Sequence, residues 1–254
     1  MTPMRRYDHD VSQKVVSFDG RQKHIAEAFD ALYERLMLAH LNHKRVFSFF
    51  KKWVGVNSNL RGIYLWGEVG RGKTYLMDLF YECLPFSEKQ RIHFHRFMLS
   101  IHEELECLQG VRNPLDRIAV RIAEKTKVLC VDEFFVLDIG DAMLLSGLLE
   151  GLFKRGVVFV ATSNAHPDSL YKDGLQRDSF LPAIKLIKKY TDVIELSGAL
   201  DYRLRSLTKA VLYHSPHNQD TEQHLYASFV ELVPYSEGIR KNETVQVMGR
   251  TITA

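Results

Sequence analysis

The sequence predicts a three-layer α/β fold with a mainly parallel sheet. Short, almost wholly apolar runs alternate with longer stretches whose apolar residues recur every three or four positions. Apolar runs of this kind are typical of strands that are covered on both faces. The chain has 254 residues, of which 46% are hydrophobic and 26% charged, so it can form a substantial core. Strands that alternate with helices pair in parallel, and the helices pack on the sheet.

The predicted elements follow in order along the chain. A stretch at 20–53 has helical spacing and belongs to an N-terminal helical lead-in over residues 1–60. The core at 61–200 contains predicted strands at 62–67, 91–97, 128–131, 157–161 and 193–196. Its predicted helices cover 74–84, two stretches within 98–126, a long segment capped by Asp138, and 180–189. We expect residues 201–254 to form an incomplete C-terminal extension, with a helix over 221–233 and strands at 244–247 and 251–253.

Composition and charge disfavour several classes of protein. The net charge is +3 and the pI is near 8.6, below the value of about 9 that marks dedicated nucleic-acid domains, so a nucleic-acid partner is disfavoured. The three cysteines are an odd number without CxxC spacing, which favours a reducing, cytoplasmic location. We expect no transmembrane span and no secretory signal, because no apolar run approaches about 18 residues. Peripheral attachment to a membrane stays open.

A glycine-rich segment after the first predicted strand matches the phosphate-loop pattern GxxxxGK followed by Ser or Thr. Glycines let backbone N–H groups curl around phosphate oxygens, and the start of the following helix adds about half a positive charge. Lys73 is predicted to reach the β and γ phosphates, and Thr74 to bind Mg²⁺. The segment therefore predicts a nucleoside triphosphate site. The predicted nucleotide contacts are Gly67, Glu68, Val69, Gly70, Arg71, Gly72, Lys73, Thr74 and Tyr75.

Two acidic residues end the third predicted strand. The apolar run 128–131 leads directly into Asp132 and Glu133. Asp132 can hold Mg²⁺ through its water shell, and the adjacent Glu133, which points elsewhere, can orient or deprotonate the attacking water. Because they follow a phosphate loop, these two carboxylates predict the hydrolytic half of the site.

Two further polar residues are candidates for the same site. The strand at 157–161 leads into Asn164, at the sheet edge where ligands bind in open α/β folds, so Asn164 can hydrogen-bond the γ phosphate or the water. The alternative is a turn residue before Pro167. Arg177 precedes a predicted helix, and by spacing alone its position is most typical of a surface arginine. An arginine on developing phosphate charge can also come from a neighbouring subunit.

Several longer strings carry more information than the phosphate loop alone. They are LCVDEF at 129–134, VLDIGDAM at 136–143, ATSN at 161–164, LYKDGLQR at 170–177, FLP at 180–182 and DYR at 201–203. In this order after a phosphate loop, the strings resemble the ZapE group of AAA+ ATPases, bacterial cell-division proteins with mitochondrial relatives. The resemblance runs from about residue 19 to 205.

The resemblance implies an ATPase that uses ATP and Mg²⁺, acts in the cytoplasm at the division site, and lowers the stability of polymers of the tubulin-like protein FtsZ, or binds another division-ring protein. It also implies a homo-oligomer whose sites are completed between subunits. The implied site residues are Lys73 and Thr74 for nucleotide and Mg²⁺, Asp132 and Glu133 for metal and water, Asn164 as sensor, and Arg177 as an arginine finger acting in trans.

One departure from the pattern concerns the C-terminal region. Similar sequences continue past a segment like 245–253 into a further helical region with an arginine-bearing stretch, whereas this chain ends at Ala254. We therefore expect an absent or truncated C-terminal lid, with nucleotide binding but slow hydrolysis in this form.

Other interpretations stay open at this stage. The same core serves nucleic-acid loaders and remodellers, and an ATP-controlled assembly adaptor with little turnover is a third class. A basic and aromatic stretch at 43–53 could contact a polymer or a membrane, although an ordinary amphipathic helix explains most of it. His93 and His95 would share one face of a strand, a spacing compatible with a metal pair that lacks a third ligand. Gln22 is a candidate contact to the base.

Overall fold

The computed structural model describes residues 1–45, 60–197, 223, 244–247 and 250–253. The chain forms two compact units, 1–199 and 200–254. The helices are α1 Pro3–Ser12, α2 Gly20–Arg45, α3 Lys73–Cys83, α4 Phe94–Cys107, α5 Pro114–Lys125, α6 Ile139–Lys154 and α7 Arg177–Tyr190. The strands are β1 Gly62–Trp66, β2 Lys89–His93, β3 Val128–Asp132, β4 Val158–Ser163, β5 Thr191–Glu195, β6 Thr244–Val247 and β7 Arg250–Thr253.

The first unit contains a five-stranded sheet with the order β2-β3-β4-β1-β5, in which every neighbouring pair is parallel. Parallel pairing brings the carboxyl ends of all five strands to one edge. At that edge, Trp66 at the end of β1 lies opposite Ser163 at the end of β4. The residues that follow β1, β3 and β4 therefore meet at one place.

Helices cover both faces of the sheet. Side chains alternate between the two faces along each strand, and alternate strand residues accordingly enter two different cores. Tyr64, Leu129 and Phe159 belong to a core shared with α4 to α7. Ile63 and Cys130 belong to a second core shared with α1, α2 and α3. The predicted three-layer arrangement is confirmed.

The long helix α6 begins where the sequence predicts. The Asp138 carboxylate accepts hydrogen bonds from the backbone N–H groups of Gly140, at 2.6 Å, and Asp141, at 3.4 Å. These bonds satisfy N–H groups that have no partner inside the helix. Gly156 follows the helix with a φ of 75°, a left-handed conformation that glycine adopts without steric cost.

The prediction of a strand over 91–97 is wrong after His93. The strand β2 ends there, and Phe94 is the first residue of α4. Phe94, Phe97 and Ile101 are buried on one side of this helix, and their three- and four-residue spacing is helical. His95 consequently lies on a helix and shares no strand face with His93. Within the described ranges, no group of three or more His, Cys, Asp or Glu side chains could hold a metal ion.

The lead-in packs on the core through α3. The rings of Phe29 on α2 and Phe80 on α3 stack with centroids 4.9 Å apart. The predicted helix at 20–53 is confirmed as far as Arg45, and its remainder lies outside the described residues, as does most of the stretch at 43–53. Among the described helices, none has the length and apolar character needed to cross a bilayer.

In the second unit, β6 and β7 form an antiparallel pair in which Val247 lies opposite Arg250. The two predicted strands at 244–247 and 251–253 are confirmed. The predicted helix at 221–233 lies outside the described residues, apart from position 223, which is helical.

Candidate nucleotide site

The phosphate loop lies between the end of β1 and the start of α3, and it requires two glycines, Gly67 for the space around it and Gly72 for its left-handed backbone. A Cβ atom on Gly67 would lie 2.3 Å from the carbonyl oxygen of Leu196, and that backbone atom cannot swing away. Gly72 has a φ of 90°, and a Cβ atom there would lie 2.6 Å from Nε2 of Gln22. The loop thus reaches the start of α3 at Lys73, and the N–H groups at a helix start form a site that favours phosphate.

Lys73 is the first residue of α3, and its ammonium group is held against its own loop. The Nζ atom donates to the carbonyl oxygens of Gly67 and Glu68, each at 2.7 Å, and the residue is buried. A buried ammonium held by carbonyl oxygens is positioned over the turn before any anion binds. Thr74, the next residue, is exposed, so its hydroxyl is accessible to a metal ion.

The remaining loop side chains differ in their partners. Arg71 donates from Nη2 to the Glu68 carboxylate, while its Nε and Nη1 atoms are buried and have no hydrogen-bond partner among the residues that the structure describes. Buried donors without a partner cost free energy, and an anionic ligand would satisfy them, so the loop fits a phosphate chain. Val69 is exposed. Tyr75 donates from its hydroxyl to Oδ2 of Asp10, at 2.9 Å.

Two contacts brace the loop from the lead-in. Gln22 is buried, and its Nε2 atom donates to the carbonyl oxygen of Arg71 at 3.0 Å. Asp10, on α1, accepts from the Tyr75 hydroxyl, and burial raises the pKa of Tyr75, with the hydrogen bond to Asp10 as a smaller cause. The lead-in therefore supports the phosphate loop directly. A contact between Gln22 and a base stays a prediction.

Asp132 ends β3 as a buried carboxylate with both oxygens engaged. Oδ2 accepts from Nε of Arg91 on β2, at 2.6 Å, and Oδ1 accepts from the hydroxyl of Thr162 on β4, at 3.3 Å. Each carboxylate oxygen has a further lone pair, so the group can still accept from a water molecule. The donor set at this point, a threonine hydroxyl on α3 and a carboxylate on β3, suits a hard cation such as Mg²⁺.

Glu133 leaves the strand in a left-handed backbone conformation, with a φ of 54°, and its side chain is exposed. Its backbone N–H donates to the Thr162 hydroxyl at 3.2 Å. A non-glycine residue in this conformation costs about 1 kcal/mol or more and persists only when its surroundings hold it, a pattern that clusters at active sites. Here the neighbouring Phe134 is buried, and its N–H donates to the carbonyl oxygen of Thr162 at 2.7 Å.

Asn164 follows β4 next to the phosphate loop. The N–H of Gly67 donates to the carbonyl oxygen of Ser163, the residue before Asn164, at 3.2 Å. The other side of the turn is fixed as well, because Tyr64 donates from its hydroxyl to the carbonyl oxygen of Ala165 at 3.0 Å. Burial raises the pKa of Tyr64, which keeps it a donor. The Asn164 side chain is exposed between two fixed residues.

Arg177 does not join this group within the described part of the chain. It is the first residue of α7, and its Nη2 atom donates to the carbonyl oxygen of Asp168 at 2.7 Å. Its Nε atom is buried, and no residue in the described ranges accepts a hydrogen bond from it. The structure therefore brings together the phosphate loop, Asp132, Glu133 and Asn164, and leaves Arg177 in a separate contact.

Three supporting residues were not predicted as parts of the site. They are Arg91, Asp78 and Thr162. An arginine inside a strand that runs beside an acid-ended strand is a signal for Arg91, because buried charges in a sheet need partners. Thr162 and Asp78 are apparent only once the strands pair, since their partners are distant in sequence.

The comparisons with known proteins agree on one family. A family model described as AFG1-like ATPase matches residues 1–254. The cell division protein ZapE of Escherichia coli K12 is 60% identical over 162 residues, which are 64% of this chain and 43% of that protein. Lactation elevated protein 1 homolog B of Danio rerio is 41% identical over 205 residues, 76% of this chain and 41% of that protein. The resemblance to the ZapE group is confirmed.

This chain spans less than half the length of these two curated relatives. Among solved structures, the crystal structure of DnaI is 21% identical, with a TM-score of 0.45, and the match covers 73% of this chain and 86% of that chain.

Proposed function

The chain belongs to the AFG1-like ATPase family, and from this premise we propose that it is a Mg²⁺-dependent ATPase of the ZapE type. The observation that carries the proposal is the meeting of three strand ends. The Gly67 N–H, after β1, donates to the carbonyl oxygen of Ser163, which ends β4 next to Asn164. The Thr162 hydroxyl on β4 donates to Asp132, which ends β3. Groups that bind phosphate and groups that activate water are thereby fixed to one another.

The chemistry follows from the groups that each strand end supplies. Lys73 exchanges the carbonyl oxygens of its loop for phosphate oxygens, and the loop N–H groups hold the rest of the phosphate chain. Glu133 orients the attacking water and accepts its proton as the water oxygen bonds to the γ phosphorus and the bond to ADP breaks. Asn164 hydrogen-bonds the γ phosphate or the water. Mg²⁺, held by Thr74 and the water shell of Asp132, would neutralise phosphate charge.

We propose that Arg177 completes the site of a neighbouring copy of the chain. Its described contact with Asp168 is a hydrogen bond from Nη2 to a carbonyl oxygen, and none of the described residues accepts from its Nε atom, so the guanidinium has donors to offer to phosphate. A homo-oligomer would then hydrolyse ATP faster than a monomer, because an arginine on developing phosphate charge accelerates phosphoryl transfer by about 10³ to 10⁵.

The cellular role is proposed from the name of the relative. A protein described as a cell division protein is 60% identical over 64% of this chain. We propose that this chain acts in the cytoplasm at the division site, binds FtsZ or another division-ring protein, and lowers the stability of FtsZ polymers when ATP is present.

Two experiments test these proposals. Fluorescence titration with mant-ATP in Mg²⁺, followed by phosphate release, should show binding and turnover; the absence of binding by folded protein would refute the ATPase. Light scattering of FtsZ polymers should fall on adding the protein with ATP and stay high with a non-hydrolysable analogue. No change with ATP would refute the FtsZ role and leave the ATPase intact. Binding to DNA that weakens steeply with salt would instead favour a nucleic-acid remodeller.

A further inference from the structure

Three charged side chains form a chain of ion pairs that ends at Asp132, one of the predicted metal contacts. Arg91 donates from Nε to Oδ2 of Asp132, at 2.6 Å, and from Nη1 to the carboxylate of Asp78 on α3. The side chain of Asp132 is 4% exposed, that of Arg91 is 21% exposed and that of Asp78 is 44% exposed. The chain of pairs thus runs from a half-exposed helix surface to a buried strand end.

Arginine is suited to this bridging position. Its guanidinium is planar and presents its donors in a fixed fork, so one side chain can bind two carboxylates in different directions at the same time. A buried carboxylate such as Asp132 requires such a partner, because an unpaired buried charge is strongly destabilising. The Thr162 hydroxyl restrains the other oxygen of Asp132, so the carboxylate is held from two sides.

The position of Asp78 connects this pair to the phosphate loop. Asp78 lies four residues after Thr74 on α3, so the two residues are neighbours on one side of the helix. Thr74 and Asp132 are the two residues proposed to hold Mg²⁺. Arg91 therefore joins the helix that carries one metal contact to the strand that carries the other.

We propose that Arg91 is a positioning residue for the metal site, which fixes the Asp132 carboxylate relative to α3 so that both metal contacts are presented together. The proposal rests on the proposed nucleotide and Mg²⁺ site. It separates metal-assisted binding from binding of the phosphate chain alone, because in the described part of the chain the hydrogen bonds of Arg91 run to Asp132 and Asp78 and not to the phosphate loop.

Charge and positioning predict opposite results for the loss of Arg91. As a cation, Arg91 repels Mg²⁺, so its removal would strengthen metal binding if charge alone mattered. As a positioning residue, its removal frees Asp132 and weakens metal binding. Loss of groups that orient metal ligands typically costs about 10- to 100-fold in metal affinity.

The test measures mant-ATP affinity with Mg²⁺ and with EDTA in the whole chain. The dissociation constant in EDTA divided by that in Mg²⁺ gives the factor by which Mg²⁺ strengthens binding. We expect Arg91→Met to reduce this ratio about 10- to 100-fold while the EDTA value is little changed. Arg91→Lys should lose most of the ratio as well, because an ammonium cannot span both carboxylates. Asp78→Ala should cause a smaller loss.

Arg155→Met is the matched control. Arg155 is 26% exposed and pairs with Asp116 at 2.8 Å on the α5–α6 side of the molecule, so it tests the loss of a comparable ion pair away from the site. Its ratio should equal that of the unaltered chain. Circular dichroism checks folding, and Arg91→Lys and Asp78→Ala keep the test valid if Arg91→Met does not fold.

Three outcomes would overturn the proposal. They are a ratio that is unchanged or larger in Arg91→Met, full retention of the ratio in Arg91→Lys, and binding by the unaltered chain that Mg²⁺ does not strengthen. The last outcome would leave nucleotide binding intact. The absence of any binding by the folded, unaltered chain would instead refute the proposed function itself.

Discussion

The two edges of the sheet carry the same kinds of charged residue, but these residues have different roles at each edge. At the amino edge, Lys127 precedes β3 and donates to the carboxylate of Glu88, which precedes β2, at 2.7 Å. Arg61 precedes β1 and donates to the carboxylate of Asp192 at 2.7 Å and to the carbonyl oxygen of Lys188 at 3.0 Å. Each of these cations has a carboxylate partner within the chain, and the pairs lie where the connections enter the strands.

At the carboxyl edge, two arginines are only partly satisfied, although Lys73 and Asp132 have partners there. Arg71 and Arg177 each have buried nitrogen atoms to which no described residue offers a hydrogen bond, and Glu133 is exposed on a left-handed backbone. Incomplete pairing and local strain cost stability, and a chain retains them where they serve a ligand. The amino edge therefore stabilises the fold, while the unpartnered donors and the local strain at the carboxyl edge favour the proposed nucleotide site. Paired substitutions of the same residue type at the two edges test this difference.

The largest difference is expected between Arg177→Ala and Arg61→Ala. Loss of Arg177 should lower turnover by about 10³ to 10⁵ and leave mant-ATP affinity unchanged, because the guanidinium acts on charge that develops during the reaction. Loss of Arg61 should leave turnover unchanged. Phosphate release and fluorescence titration measure both quantities. Equal loss of affinity and turnover in Arg177→Ala would show that this arginine has been misassigned.

The second comparison is between Glu133→Gln and Glu88→Gln. Without a base to orient and deprotonate water, Glu133→Gln should reduce turnover by about 10² to 10⁴ and retain bound ATP. Glu88→Gln should hydrolyse ATP at the normal rate. Single-turnover hydrolysis followed by chromatography of the bound nucleotide checks this, and ADP accumulation at an unaltered rate in Glu133→Gln would contradict it.

Lys73→Ala and Lys127→Ala form the third pair. Removal of Lys73 should weaken mant-ATP binding by about 100-fold, since charged hydrogen bonds contribute about 1.5–3 kcal/mol each. Lys127→Ala should bind normally and lose only a little stability. Fluorescence titration together with thermal unfolding distinguishes the two effects. Normal affinity in Lys73→Ala would count against a phosphate site in this loop.

The smallest expected effect is a dependence of stability on pH at the amino edge. The hydrogen bond from Lys127 lowers the pKa of Glu88 from 4.5 to about 2. Because the folded pKa lies below the unfolded one, this stabilisation is complete above about pH 4.5 and is lost as the pH falls toward 2. Glu88 is 36% exposed, so solvent screening limits the contribution to roughly 0.2–1 kcal/mol.

Urea unfolding of the unaltered chain and of Glu88→Gln measures this pH dependence. The difference in unfolding free energy between the two should shrink as the pH is lowered from 7 to 3. A difference that grows over this range would contradict the assignment. Lys127→Met provides the control, because it should remove the same pH dependence from the other side of the pair.

Most of the fold could be predicted from local pattern, and its one clear error has a local cause. Apolar runs and helical spacing predict the five parallel strands and the helices between them, because strands that are buried on both faces are almost wholly apolar in sequence. The boundary after His93 was misplaced because a strand leads into a helix without a turn residue. The alternation of Ile92 and Phe94 continues the strand pattern over the first helical position.

The candidate site divides in the same way. The positions of Lys73, Asp132 and Glu133 could be predicted, because each lies at a fixed distance from a strand end or a helix start. Arg91 and Thr162 could not, because their roles depend on partners that lie 41 and 30 residues away and are reached only across paired strands. The roles assigned to all of the candidate site residues, Asn164 and Arg177 included, stay predictions.

The contact between Gly67 and Leu196 has a consequence for sequence variation in this fold. The atom that excludes a Cβ from Gly67 is a main-chain carbonyl oxygen, which every amino acid carries. Substitution of Leu196 leaves this carbonyl oxygen in place, whereas a methyl group added at Gly67 would clash with it. Position 196 therefore tolerates side-chain substitution better than position 67. Only a shift of the backbone could accommodate an alanine at position 67.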